Sequence, residues 1–163
     1  MKTLLLIRHA KSSWDSAATS DFERPLNERG KRDAPMMAKR LVEKQIKIDS
    51  FISSPAKRAK KTAIFFANEF GIDESTIHFI NELYAAPQEA FYEVICKLDI
   101  DSDNIAIFSH NPGITEFANS LTNARVDDMP TCAIFAIKSD AVSWNEFATS
   151  NKEFWFFDYP KQV

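Results

Sequence analysis

The run Thr3-Leu4-Leu5-Leu6-Ile7, apolar from Leu4 on, stands almost at the amino terminus and ends abruptly in Arg8-His9. A run this short cannot span a bilayer, which takes ~20 residues. It shows none of the alternation of a strand with one wet face. It therefore predicts a central parallel strand, covered on both faces and carrying Arg8 and His9 at its carboxyl end. A strand covered on both faces requires helices on both sides, and the rest of the chain supplies them.

Apolar residues recur at helical spacing over Arg29–Lys44, with Pro35 expected in the first turn or two. Further helices are predicted over Ala56–Phe70, closed by Gly71, over Pro87–Leu98 and over Ile114–Leu121. Strands are predicted at Ile48–Ser53, Ile77–Ile80, Asn104–Phe108 and Cys132–Ile137. Trp144–Thr149 and Phe154–Tyr159 read as edge strands of a terminal antiparallel extension. Alternating strands and helices specify an α/β fold: a single-domain three-layer sandwich over 1–163, with a mostly parallel central sheet and helices on both faces. At 163 residues such a domain buries roughly 70% of the surface of its unfolded chain and needs no disulfide or structural metal. Cys96 and Cys132, with no CxxC spacing, read as reduced and buried thiols. With no signal or membrane segment legible, the expected location is cytoplasmic.

The net charge of −3 argues against a nucleic-acid binder, so any positive field is local. Ligands of open α/β sheets sit beyond the carboxyl ends of the strands. Three groups of residues fall there: Arg8-His9, then Ser53-Ser54-Pro55 with Arg58-Ala59 and Thr62, and Ser109-His110-Asn111-Pro112-Gly113. Each alone is unremarkable: a surface turn, a serine-capped helix start, a structural histidine. Together they place two arginines and two imidazoles on one crevice. Guanidinium forks match phosphate oxygens, and a neutral imidazole is a competent nucleophile. The chemistry this suits is phosphoryl transfer.

These stretches, with Leu5–Trp14 and the segment Asp21-Phe22-Glu23-Arg24-Pro25-Leu26-Asn27-Glu28-Arg29-Gly30, resemble the histidine phosphatase (phosphoglycerate-mutase-like) superfamily. Within it the chain is most similar to SixA-type phosphohistidine phosphatases. The resemblance implies that His9 attacks phosphorus, that Arg8 and Arg58 clamp the phosphoryl oxygens, and that His110 hydrogen-bonds one of them as a cation. It implies no metal and no cofactor. Arg24 is either a phosphate or carrier contact or a plain surface arginine. Asn111 and Ser12 are further phosphate-binding candidates. Glu82, in Asn81-Glu82-Leu83, is the candidate proton donor or else a solvated loop carboxylate. His78 reads as a structural histidine in a strand. Lys57, Lys60 and Lys61 read as a solvated face that can also make the site mouth positive. Trp14 covers the entrance or packs on the sheet. Trp144, Phe147, Phe154, Trp155, Phe156 and Phe157 read as core and edge packing.

Superfamily members that act on small metabolites usually carry capping segments, and this chain has little room for one beyond the 11–28 loop. The resemblance thus implies an open site and a phosphorylated protein as partner, a phosphohistidine carrier or phosphotransfer domain. A small phosphoester, or a non-catalytic phosphate-binding adaptor, is the alternative.

Overall fold

The amino-terminal run forms β1 (Lys2–Arg8), with Leu4, Leu5, Leu6 and Ile7 fully buried. Each such side chain contributes about 1.5–3 kcal/mol by leaving water, which is why this strand sits inside the sheet. The computed structural model describes residues 1–14 and 20–162. After β1 come α1 (Glu28–Glu43), β2 (Ser50–Ser53), α2 (Lys57–Glu69), β3 (His78–Phe79) and α3 (Gln88–Cys96). They are followed by β4 (Asn104–Ser109), α4 (Gly113–Leu121), β5 (Ile134–Ser139) and β6 (Lys152–Asp158). The sheet runs β3-β2-β4-β1-β5-β6. The first four of these strands are mutually parallel, and β5 and β6 pair antiparallel.

The alternation of side chains along β1 divides the core. Leu5 and Ile7 pack with Met37 and Leu41 of α1 and Phe66 of α2. Leu4 and Leu6 pack on the other face with Phe91 of α3, Phe117 of α4, Trp144 and Phe147. Helices therefore cover both faces of the sheet.

Several expectations shift. Trp144–Thr149 is a 3-10 helix rather than a strand. Trp144 and Phe147 are buried in the core, and the indole nitrogen of Trp144 donates to the Ser102 carbonyl at 2.7 Å. Burying this apolar pair outweighs edge pairing. Phe154 and Trp155 lie exposed on edge strand β6. His78 is not a packed structural residue either. It is exposed, on a two-residue strand at the opposite edge. Pro35 lies deeper in α1 than its first turns. Cys132 precedes β5 instead of opening it, because its φ of 63° takes the chain out of extended geometry. Cys132 is buried, while Cys96 is only half-buried.

Two glycines mark close approaches of backbone that set the site's frame. A Cβ on Gly30, in the first turn of α1, would lie 2.1 Å from the Lys11 carbonyl oxygen. One on Gly113, which opens α4, would lie 1.8 Å from the Ala86 carbonyl oxygen. The amino end of α1 is held by the Asn27 side chain, which accepts the Gly30 N–H at 2.9 Å. Of the expected 11–28 loop, residues 15–19 lie outside the described residues. The remainder is tied down by a Ser12–Leu26 bridge and a 3-10 turn at Asp21–Glu23.

Candidate active site

Strands β2, β4 and β1 are neighbours and end together. Arg8 is opposite Ser109 in the β1–β4 register, so the residues that follow, His9 and His110, emerge side by side. The His9 N–H donates to the Ser109 carbonyl at 3.1 Å, and the two imidazole centroids are 5.2 Å apart. Ser54, one step beyond β2, donates its N–H to the Phe108 carbonyl at 2.9 Å. A cavity of about 320 Å³ opens at this edge. Arg8, His9, Ser12, Arg24, Arg58, His110 and Asn111 line it, with Lys11, Trp14, Asp21, Tyr84, Ala85 and Thr131.

His9 is buried, and its Nδ1 lies 2.8 Å from the Ala10 carbonyl oxygen. A carbonyl only accepts, so Nδ1 carries the proton and the lone pair is on Nε2. Arg58 Nε donates to that Nε2 at 3.3 Å. Burial pushes the His9 pKa well below the ordinary value. The Ala10 carbonyl opposes this, and the charges of His110, Arg58 and Arg8 reinforce it. His9 is thus a neutral imidazole with a directed lone pair, the form a nucleophile needs.

His110 Nε2 lies 2.7 Å from the Ser54 hydroxyl oxygen, which accepts the Ala56 N–H at 3.2 Å. The Ser54 hydroxyl can donate to Nε2 or accept from it, according to the ring's tautomer. Burial, with Arg58 next, lowers the His110 pKa to about 3. Taking this ring out of water beside Arg58 opposes the cationic form that the resemblance implies, and a phosphoryl anion would favour it.

The arginines are set from different directions. Arg8 Nη1 donates to the Met129 carbonyl at 2.8 Å. Arg58, from the first turn of α2, is buried and donates from Nη1 to the Asp21 carbonyl at 2.7 Å and from Nη2 to Asp21 Oδ2 at 3.0 Å. Thr62, one turn on, accepts the Ala10 N–H at 3.0 Å and donates to the Arg58 carbonyl at 2.8 Å, which locks α2 to the segment after His9. Arg24 is not a free surface arginine. It donates to Ser12 Oγ at 2.6 Å and to Asp21 Oδ1 at 3.2 Å, and its guanidinium lies 3.6 Å over the Trp14 ring. Trp14 is 73% exposed at the mouth.

The two remaining candidates differ in their placement. Asn111 lines the cavity, but its amide donates to Asp128 at 2.6 Å and to the Met129 carbonyl at 3.1 Å, and its oxygen accepts from Thr115 at 2.6 Å. Those bonds hold the loop that seats Arg8. Glu82 does not line this cavity. The 3-10 turn Asn81–Leu83 turns it toward a separate surface cavity with Ile80 and Glu93, and Tyr84 reaches the site from this segment instead.

The sequence assigns no role in the site to Asp21, Tyr84 or Cys132. Tyr84 donates to Asp21 Oδ2 at 2.7 Å. The Cys132 N–H donates to the carbonyls of both Arg8 and His9 at 3.0 Å, so the positive-φ turn before β5 braces the backbone at His9. Their contacts to Arg58, Arg8 and His9 are remote in sequence, so local pattern does not show them.

The cavity carries four cationic side chains, Arg8, Lys11, Arg24 and Arg58, against one carboxylate, Asp21. Among the described residues, the buried side-chain polar atoms without a hydrogen-bond partner are Arg8 Nε and His110 Nδ1, both on lining residues. Leaving a buried donor unmade costs about 1–3 kcal/mol, a cost an oxyanion ligand would remove.

Fold and site together define an α/β phosphatase. The chain belongs to the histidine phosphatase superfamily (branch 1), whose family model matches residues 4–89. It is 31% identical over 94% of its length to an uncharacterized chloroplastic protein of Arabidopsis thaliana, of which it covers 74%. Over a shorter stretch, 43% of this chain and 31% of the relative, it is 38% identical to a 2,3-bisphosphoglycerate-dependent phosphoglycerate mutase of Gloeothece citriformis. Among solved structures it is similar to a candidate phosphohistidine phosphatase SixA from Agrobacterium tumefaciens, with a TM-score of 0.82, 25% identity and 98% of each chain covered. It also shares its fold with a protein histidine phosphatase SixA complexed with tungstate, at TM-score 0.82, 21% identity and 97% of each chain. Among the described residues no helix is long and apolar enough to cross a membrane.

Proposed function

We propose that this chain removes the phosphoryl group from phosphohistidine on a protein, through a phosphohistidine intermediate at His9. The observation that carries the reading is the tautomer of His9: Nδ1–H held by the Ala10 carbonyl leaves Nε2 as the attacking lone pair beside Arg58 and His110. In the first step a bond forms from His9 Nε2 to phosphorus while the substrate's P–N bond breaks, and the departing imidazole, already protonated at its other nitrogen, keeps the electron pair and leaves neutral. In the second, water attacks phosphorus, the His9–phosphorus bond breaks, and inorganic phosphate results. Arg8, Arg58 and His110 would hold the phosphoryl oxygens through both steps. No step calls on a metal or cofactor.

The choice of phosphohistidine over a phosphoester rests on the proton inventory. An alkoxide leaving group needs an acid, whereas a protonated imidazole leaves without one. Glu82 faces away from the cavity. The hydrogen bond from Tyr84, with Arg58 and Arg24 nearby, holds Asp21 ionised down to about 2 against the opposing effect of burial. A protein partner is supported by the SixA neighbours and by the rim. There Trp14 is exposed, and Lys57, Lys60 and Lys61 surround Phe22 and Ile64 in a second depression beside Arg58. A side-by-side rate comparison on phosphohistidine protein, sugar phosphates and phosphotyrosine peptide tests the reading. Phosphohistidine is expected to react fastest. Sugar phosphates turned over equally well would overturn the substrate class.

A further inference from the structure

Asp21 is the sole acidic side chain lining the cavity among the described residues, and it sits on the guanidinium that faces the nucleophile. One residue occupies both terminal nitrogens of Arg58: the backbone carbonyl takes Nη1 at 2.7 Å and the carboxylate takes Nη2 at 3.0 Å. Arg58 is thereby turned so that Nε meets His9 Nε2 at 3.3 Å. The carboxylate is itself pinned, by the Tyr84 hydroxyl at 2.7 Å and Arg24 Nε at 3.2 Å. A dianion entering this cavity finds the fork of its arginine already holding an anion.

We propose that Asp21 is a positioning residue that weakens the site's hold on inorganic phosphate, so that product leaves, while it keeps Arg58 aimed at His9. This rests on the reading of the cavity as a phosphoryl site. Phosphate must share Arg58 with Asp21 or displace it, and either costs binding, since two anions repel across a few ångströms and an arginine fork seats one oxyanion fully. Such a device has a use here. Three guanidiniums and two imidazoles around a small anion would otherwise trap the product, and tight product binding lowers turnover without helping chemistry. Tyr84 serves the same end, because its hydroxyl fixes the carboxylate on the Arg58 side.

The test is calorimetric titration of inorganic phosphate into the wild-type chain, Asp21→Asn and Tyr84→Phe, alongside kcat on p-nitrophenyl phosphate. Asp21→Asn is expected to bind phosphate about tenfold tighter while kcat falls. Tyr84→Phe should move both in the same direction by less. A residue that only stabilises the fold would weaken phosphate binding and kcat together. Unchanged or weaker phosphate binding by a folded Asp21→Asn or Tyr84→Phe protein overturns this inference and leaves the phosphatase reading intact. Absence of phosphate binding in all three proteins overturns the phosphoryl site, and this inference with it.

Discussion

The imidazoles of His9 and His110 lie 5.2 Å apart because Arg8 and Ser109 are register partners in adjacent parallel strands. A hundred residues of intervening chain matter less to the site than this single pairing. From it follow the shared burial of the two rings and the low pKa of each.

Replacing His9 by Ala should cut turnover by a factor on the order of 10³–10⁶ while phosphate still binds through Arg8 and Arg58. Steady-state rates with calorimetric phosphate binding check this. Substantial residual turnover would take His9 out of the attacking role.

Acid should destabilise the fold early. The two imidazoles have folded pKa values below the unfolded value of about 6.5, so the unfolded chain binds protons that the folded chain excludes. Stability therefore rises with pH across this window and is lost as pH falls from about 6.5 toward 3, the value to which His110 is lowered. Urea midpoints between pH 7 and 5, where carboxylates stay ionised, should fall steadily in the wild type and less steeply in His110→Gln. A flat wild-type profile would contradict the burial of these rings.

Gly30→Ala should lower stability by about 1–3 kcal/mol and Tm by roughly 2–12 °C. Its methyl group would collide with the Lys11 carbonyl, which is backbone and cannot swing aside. Thermal melts decide this. Because Lys11 lines the cavity, kcat/KM should drop as well.

Charge reversal of Lys57, Lys60 and Lys61 to Glu should raise KM for a phosphohistidine protein at least about fivefold and leave p-nitrophenyl phosphate turnover unchanged. Those lysines are exposed beside the cavity and outside it. Equal effects on both substrates would mean that the patch does not dock a protein.

Glu82→Gln should change turnover of any substrate by less than about twofold, because an exposed carboxylate facing another cavity has no path to the leaving group. A selective loss on phosphoesters would restore it as the acid.

Much of this was legible in the sequence. The run Leu4–Ile7 announced a strand buried on both faces, and helical periodicity located α1 to α4. The strand-end groups Arg8-His9, Arg58 and His110 fell where an α/β sheet exposes ligands. The miss at Trp144–Thr149 has a plain cause: aromatic residues favour strands on average, yet here two of them gain more by entering the core. Glu82 was misplaced because one-dimensional position near a strand end does not say which way a 3-10 turn faces its side chains.

Local sequence determined the elements and the chemical identity of the reacting groups, since hydrophobic period and side-chain type are properties of neighbouring residues. Tertiary structure alone decided that Asp21 holds Arg58 and Tyr84 holds Asp21, that Asn111 bonds the loop that seats Arg8, and that burial beside Arg58 lowers the His110 pKa. Those facts depend on distances between residues far apart in the chain and on exclusion of water, and neither is encoded at any single position.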